Sequence, residues 1–246
     1  MSLKSNIIDK VKSILNTKFE FDEVSYVPDL ENSKLTFNNY GLQFEATVLY
    51  IDMRGSTKLL NKHTNPVVAK IHMAYFHTIV KLANAYGGEV RSFNGDSMLV
   101  FFQGTTKDSL SNAVMVAMKI KYMLNDSDSG INELLVKYTP IDFGIGLDDG
   151  KILCTKVGVS GQNNRDLIWI GNPVNKSVVI SDKCSSPNHV GISSYVYSNL
   201  NDDVKYNETI NAYGQKSKVN MWKKGTIKYN GFVEEYYYTG YHWIVS

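Results

Sequence analysis

The feature that most constrains this chain is a short apolar run that ends on an acid. Residues 46–51 read Ala-Thr-Val-Leu-Tyr-Ile, and Asp52, Met53, Arg54, Gly55, Ser56 and Thr57 follow directly. A run without polar alternation fits a strand covered on both faces. Such a strand needs neighbours on both edges, so the fold must be a layered sheet with this segment near its middle. A carboxylate at the end of that strand is carried to the rim of the sheet and held there.

The flanking periodicities say what the layers are. Asn65 can cap a helix and Pro66 suits its first turn. Val68, Ile71, Tyr75, Ile79, Leu82 and Tyr86 then recur at steps of three or four, and Gly87-Gly88 ends the helix. Two β-rich runs meet at Asn94-Gly95, a strong hairpin signal. A second helix is expected over 106–125, with Leu110, Ala113, Val114, Ala117, Ile120 and Leu124 inward. The stretch 140–161 reads as two strands joined at Asp148-Asp149-Gly150. The resulting order, β-α-β-β-α-β-β, describes an α+β protein with a ferredoxin-like βαββαβ core, helices packed on one face of a mostly antiparallel sheet. Beyond it come a strand at 166–170, a helix from Pro173 to Cys184, another near 195 and a hairpin turning at Asn230-Gly231. Ahead of it, residues 4–16 have the rhythm of a short amphipathic helix, and 17–43 form an irregular lead-in around Pro28. No linker interrupts 44–246, which reads as one domain.

Composition excludes several classes. A net charge of +2 without clustered basic residues is not the balance of a general nucleic-acid binder. The two cysteines, Cys154 and Cys184, lack the spacing of a zinc site or a disulfide framework. No apolar run approaches the ~20 residues that cross a bilayer, and the N-terminus lacks a signal-peptide core. A reduced, cytoplasmic protein without direct membrane contact is expected. "GIGLDDG" imitates a phosphate loop but lies between β-rich runs, and His72 and His77 do not share a helix face. Trp169, Trp222 and the aromatic run at 234–243 read as packing residues.

In the expected topology Asp52, at the first strand's end, and Asp96, just past the hairpin turn, share one sheet edge. Each could serve alone as a cap or turn residue. Two carboxylates so close repel unless a cation lies between them. Oxygen ligands without His or Cys favour Mg²⁺ or Mn²⁺, and Mg²⁺ held by few protein groups usually carries phosphate as well. Gly55 and Ser56 leave room for such a ligand.

Three blocks, "VLYIDMRGST" at 48–57, "GGEVRSFNGDSMLVFF" at 87–102 and "IGNPVNKSVVISD" at 170–182, resemble class III nucleotidyl cyclase catalytic domains, in the family's order. The resemblance implies that Asp52, Asp96 and the main-chain carbonyl of Met53 bind two Mg²⁺ or Mn²⁺ ions. It implies in-line attack of the ribose 3′ oxygen on the α-phosphorus of a nucleoside triphosphate, and a head-to-tail homodimer in which Asn175 serves the other subunit's ribose. The family's transition-state arginine would stand at Val179, where its absence removes several kcal/mol of charge stabilisation unless another cation substitutes. Arg54, Lys176, Lys216, Lys218, Lys223 and Lys224 are the candidates, with Arg54 singled out as catalytic. At the family's base-selecting positions stand Ser92 and Ile168, which match neither the adenine nor the guanine pattern. The chain is most similar to the Pycsar antiphage cyclases, which make cyclic CMP or cyclic UMP for a separate effector. Tyr50 would then fill the space of a purine, with Trp169 near enough to line the pocket. The residues do not distinguish CTP from UTP. A purine cyclase with an atypical pocket and an inactive nucleotide-binding regulatory module are the rival readings.

Overall fold

The computed structural model describes residues 2–159, 164–210 and 214–245. Its first part comprises α1 (Leu3–Asn16), β1 (Glu20–Glu23), β2 (Tyr40–Arg54), α2 (Ser56–Lys62), α3 (Asn65–Ala85), β3 (Gly88–Asn94), β4 (Ser97–Gln103), α4 (Lys107–Asn125), α5 (Ile131–Val136) and β5 (Asp142–Gly158). After β5 come β6 (Arg165–Ile170), α6 (Asn172–Ser181), β7 (Val190–Ser193), α7 (Ser194–Ser198), α8 (Asp202–Lys205), β8 (Tyr206–Ile210), β9 (Lys216–Asn220), β10 (Lys223–Tyr229) and β11 (Phe232–Thr239). The main sheet runs β10-β11-β7-β5-β2-β4-β3, with β1 added to β2 and β6 to β5. Its pairings are antiparallel except β1/β2 and β5/β7. Within it, β5-β2-β4-β3 with α3 and α4 is the ferredoxin-like core.

Alternation along β2 builds two cores. Leu49, Ile51 and Met53 point into a cluster with α3 and α4, completed by Phe143, Ile145 and Leu147 of β5. Phe44, Ala46 and Val48 point the other way, into a second cluster with Phe101, Leu167 and Val174. The strand is therefore covered on both faces, as its unbroken apolar run requires. Phe44 meets Phe101 and Trp169 edge-on at 5.8 and 6.0 Å, arrangements that each add about 0.5–1.5 kcal/mol beyond area burial. Capping sets the helix ends: Thr106 and Ser109 form a reciprocal capping box at α4, and Pro66 occupies the first turn of α3.

The stretch 140–161 departs from expectation. Asp148-Asp149-Gly150 makes no hairpin; β5 is one strand, paired with β2 from Arg54↔Asp142 to Gly41↔Thr155. Gly150, at φ +146, faces Pro173 and keeps its place in the ladder opposite Ala46. Residues 160 and 161, the last of that stretch, lie outside the described residues. The lead-in is also more ordered than an irregular segment. It contains β1, and its residues Val27 and Leu35 are buried in the second cluster.

The helix expected to run from Pro173 to Cys184 is α6, which ends at Ser181. It packs on the sheet face opposite α3 and α4. Gly146 has no side chain to keep it away: a Cβ there would lie 2.0 Å from the Ser177 carbonyl oxygen. No helix among the described residues is long and apolar enough to cross a membrane.

Candidate active site

The two aspartates meet as the topology requires. Asp52 pairs with Ser97 across β2 and β4, and Asp96 precedes Ser97 in the tight turn between Asn94 and Ser97. Gly95 supplies the positive φ, +62, that this turn needs. The carboxyls lie within hydrogen-bonding reach of each other. Burial first, and then the charge of Asp96, push the Asp52 carboxyl above its ordinary value, against the pull of Arg54. Two adjacent acids that resist joint ionisation form an incomplete electrostatic unit. A hard divalent cation completes it, and the Met53 carbonyl lies on the same strand end. Among the described residues no group of three or more His, Cys, Asp or Glu side chains forms a metal cage. The donor set therefore suits an ion that brings its remaining ligands with it.

Arg54 is fully engaged. Its Nη1 donates to Asp52 Oδ2 at 2.7 Å and lies 3.6 Å from Asp182 Oδ1. Its Nε donates to the Cys184 carbonyl at 3.3 Å and its Nη2 to the Ser181 carbonyl. The guanidinium thus caps the C-terminal end of α6 while fixing one oxygen of Asp52 and leaving Oδ1 for another partner. It acts here as a strut between Asp52 and α6, each of its nitrogens having a partner within the subunit.

Four of the other candidate cations have side-chain partners elsewhere. Lys176 donates to Glu234 at 2.7 Å and lies over the Tyr229 ring. Burial pulls its ammonium down, but Glu234 and Asp148 outweigh that and hold it above its ordinary value. Lys216, Lys218 and Lys224 form exposed ion pairs with Glu208, Asp202 and Glu235, and Lys223 opens β10 at Tyr238. Val179 packs against the cluster of Ile180, Cys184 and Tyr236.

Tyr50 lies on the same face of β2 as Asp52, within hydrogen-bonding reach of Ser97. It pairs with Leu99, and Leu99 with Ser92, so Tyr50, Leu99 and Ser92 form one row across three strands. A β-bulge at Arg91 interrupts β3 just before that row. Val90 pairs with Val100 and packs with the α3/α4 core, and with Arg91 outside the ladder Ser92 falls on the opposite face. Trp169 meets Phe101 at 4.7 Å with the rings tilted, as a packing residue of the second cluster. Ile168 points outward, 40% exposed. Asn175 is exposed on the first turn of α6. It stands about 9 Å along the helix axis from Ser181, which Arg54 grips. The subunit therefore does not bring its own Asn175 to the aspartates.

Sequence reasoning missed Asp182, Ser181 and Arg91. The first two are the distant anchors of Arg54. Arg91 donates to the carbonyls of Pro28 and Val27. The only local signal was their nearness in sequence to residues already singled out.

Comparison with known proteins identifies the family and the fold. A uridylate cyclase of Xanthomonas perforans is 29% identical over 230 residues, covering 92% of each chain. A uridylate cyclase of Burkholderia cepacia is 28% identical over 210 residues, 84% of this chain and 88% of the other. The crystal structure of the guanylyl cyclase Cya2 superposes with a TM-score of 0.63 at 20% identity, over 81% of this chain and 92% of that one, which shows the fold. The profile of the adenylate and guanylate cyclase catalytic domain matches residues 41–232. The chain belongs to that family and carries a nucleotidyl cyclase domain.

Proposed function

We propose that this protein converts a pyrimidine nucleoside triphosphate, UTP in the first instance, to its 3′,5′-cyclic monophosphate and pyrophosphate. The observation that carries the reading is the row Tyr50–Leu99–Ser92 beside the paired acids. It offers bulk where a purine needs space and lacks the charged groups that read adenine or guanine. A site built around hydrogen bonds to one base rejects others strongly. The relatives named uridylate cyclases favour UTP over CTP.

Asp52, Asp96 and the Met53 carbonyl would hold two Mg²⁺ or Mn²⁺ ions. Such ions supply charge neutralisation for the triphosphate and ease ionisation of the ribose 3′-hydroxyl. Arg54 keeps Asp52 oriented, and Tyr50 presses on the base. Asn175 of a second copy steadies the ribose, which accounts for its exposure in one subunit and makes the active form a homodimer. The 3′ oxygen bonds to the α-phosphorus as the bond to the β-bridging oxygen breaks, pyrophosphate departs, and the 3′ proton passes to solvent. The cyclic nucleotide then acts on a separate effector in cytoplasmic antiphage signalling, a role that rests on the resemblance to the Pycsar cyclases.

The test is incubation of pure protein with Mn²⁺ and each of UTP, CTP, ATP and GTP separately, with products resolved by chromatography. Cyclic UMP or cyclic CMP is expected. A cyclic purine as the main product overturns the pyrimidine assignment. Binding without turnover supports the second reading, an inactive regulatory module, which the packed Val179 and the engaged cations favour.

A further inference from the structure

The lead-in between β1 and β2 crosses the sheet face that carries Tyr50 and Ser92, and it is fastened on both sides of that face. At the β3 side, Arg91 donates from Nε to the Pro28 carbonyl at 2.8 Å and from Nη2 to the Val27 carbonyl at 3.2 Å. Arg91 is the bulge residue and directly precedes Ser92. At the β6 side, Glu31 pairs with Arg165 at 3.0 Å, three residues before Ile168. Between these anchors Val27 and Leu35, 7% and 3% exposed, are buried with Val48, Phe101 and Leu167. Val48 and Phe101 pair with each other and form the next inward-facing row beyond Tyr50 and Leu99. Leu99 itself packs on this cluster. The space behind the base-facing row is thus closed by the lead-in, which is tied to both strands that carry the base-selecting positions.

We infer that residues 24–35 are a specificity strap: they form the end wall of the base pocket and limit it to a single-ring base. The inference deepens the pyrimidine cyclase reading and rests on it. Tyr50 narrows the pocket from within the sheet, and Val27 and Pro28, held by Arg91, fix how deep it runs. A two-ring base would have to displace Val27 and strip Arg91 of two carbonyl partners.

The experiment compares wild-type protein with Val27→Ala and Arg91→Gln, each verified as folded by circular dichroism and thermal melting. Val27→Ala trims the wall without detaching the strap, and Arg91→Gln loosens its fastening, which hydrogen exchange of 24–35 reports. The readout is kcat/KM for each of the four triphosphates with Mn²⁺. Wild-type protein is expected to prefer pyrimidines, and the preference is expected to fall about tenfold or more in the variants through a gain on ATP or GTP. If Arg91→Gln does not fold, Val27→Ala alone decides. A preference unchanged in the folded variants overturns the strap and leaves the pyrimidine reading intact. Wild-type protein without a pyrimidine preference overturns both.

Discussion

Replacing Gly146 with alanine tests the link between sheet and site most directly. The new Cβ would stand 2.0 Å from the Ser177 carbonyl oxygen and 2.5 Å from the Ser181 amide nitrogen, both backbone atoms of α6. Ordinary van der Waals contact starts at 3.4 Å, so the helix must retreat by about 1.4 Å. It cannot do so freely. Its C-terminal carbonyls are held by Arg54, its Lys176 by Glu234, and Ile180 by the cluster under β10 and β11. Overpacking of this kind costs about 1–3 kcal/mol. At this chain length each kcal/mol moves the melting temperature by about 2–4 °C. The larger effect falls on turnover, because α6 carries Asn175 at one end and the grip on Asp52 at the other. A misplacement near 1 Å can reduce rates by about 10²-fold. Differential scanning calorimetry and pyrimidine triphosphate turnover with Mn²⁺ measure both. Melting and turnover both equal to wild type would refute the argument that α6 is seated on the backbone of β5.

Asp52→Ala and Asp96→Ala are each expected to lower turnover by about 10³-fold or more while the protein stays folded, and parent-like rates in either variant would remove the proposed centre. Mn²⁺ is expected to raise the melting temperature of wild-type protein at pH 7 and not that of Asp52→Asn. The Asp52 carboxyl is raised above its ordinary 3.8, so the folded state holds that proton more tightly than the unfolded one. Its contribution therefore makes the metal-free protein less stable as pH climbs from about 3.8 through the raised value, and pH-dependent melts of wild type and Asp52→Asn isolate it. Arg54→Met is expected to destabilise by about 2–3 kcal/mol, since it unpairs a mostly buried carboxylate and uncaps α6; thermal melts check this, and Lys at position 54 should not restore it. Tyr50→Ala is expected to admit GTP or ATP, read as kcat/KM ratios, and unchanged selectivity would end its role as a space filler.

The parts of the fold legible in the sequence are those set by local periodicity and turn chemistry. The stripe from Val68 to Leu82 marked α3, Asn94-Gly95 marked the β3–β4 hairpin, and Asn230-Gly231, both at positive φ, marked the β10–β11 turn. Elements made by distant pairing were hidden. Asp148-Asp149-Gly150 carries a turn's composition, yet the ladder to β2 holds it extended. β1 exists only because Tyr40–Gln43 lies beside it, and the Lys216–Asn220 strand is exposed throughout, so no apolar pattern announced it. The site divides the same way. Asp52 and Asp96 could be brought together from topology alone. The anchors of Arg54, 127–130 residues away in sequence, could not.

The single inserted residue in β3 has an evolutionary side. It takes up a change of length without passing it on: Arg91 stands outside the ladder, so Ser92 stays opposite Leu99 whether or not that residue is present. Deleting its codon would close the bulge, keep Ser92 and Phe93 on their present faces and remove the clamp on Val27 and Pro28. Strand length at this point can therefore drift by one residue without turning core residues towards the nucleotide, and what is lost is the fastening of the lead-in.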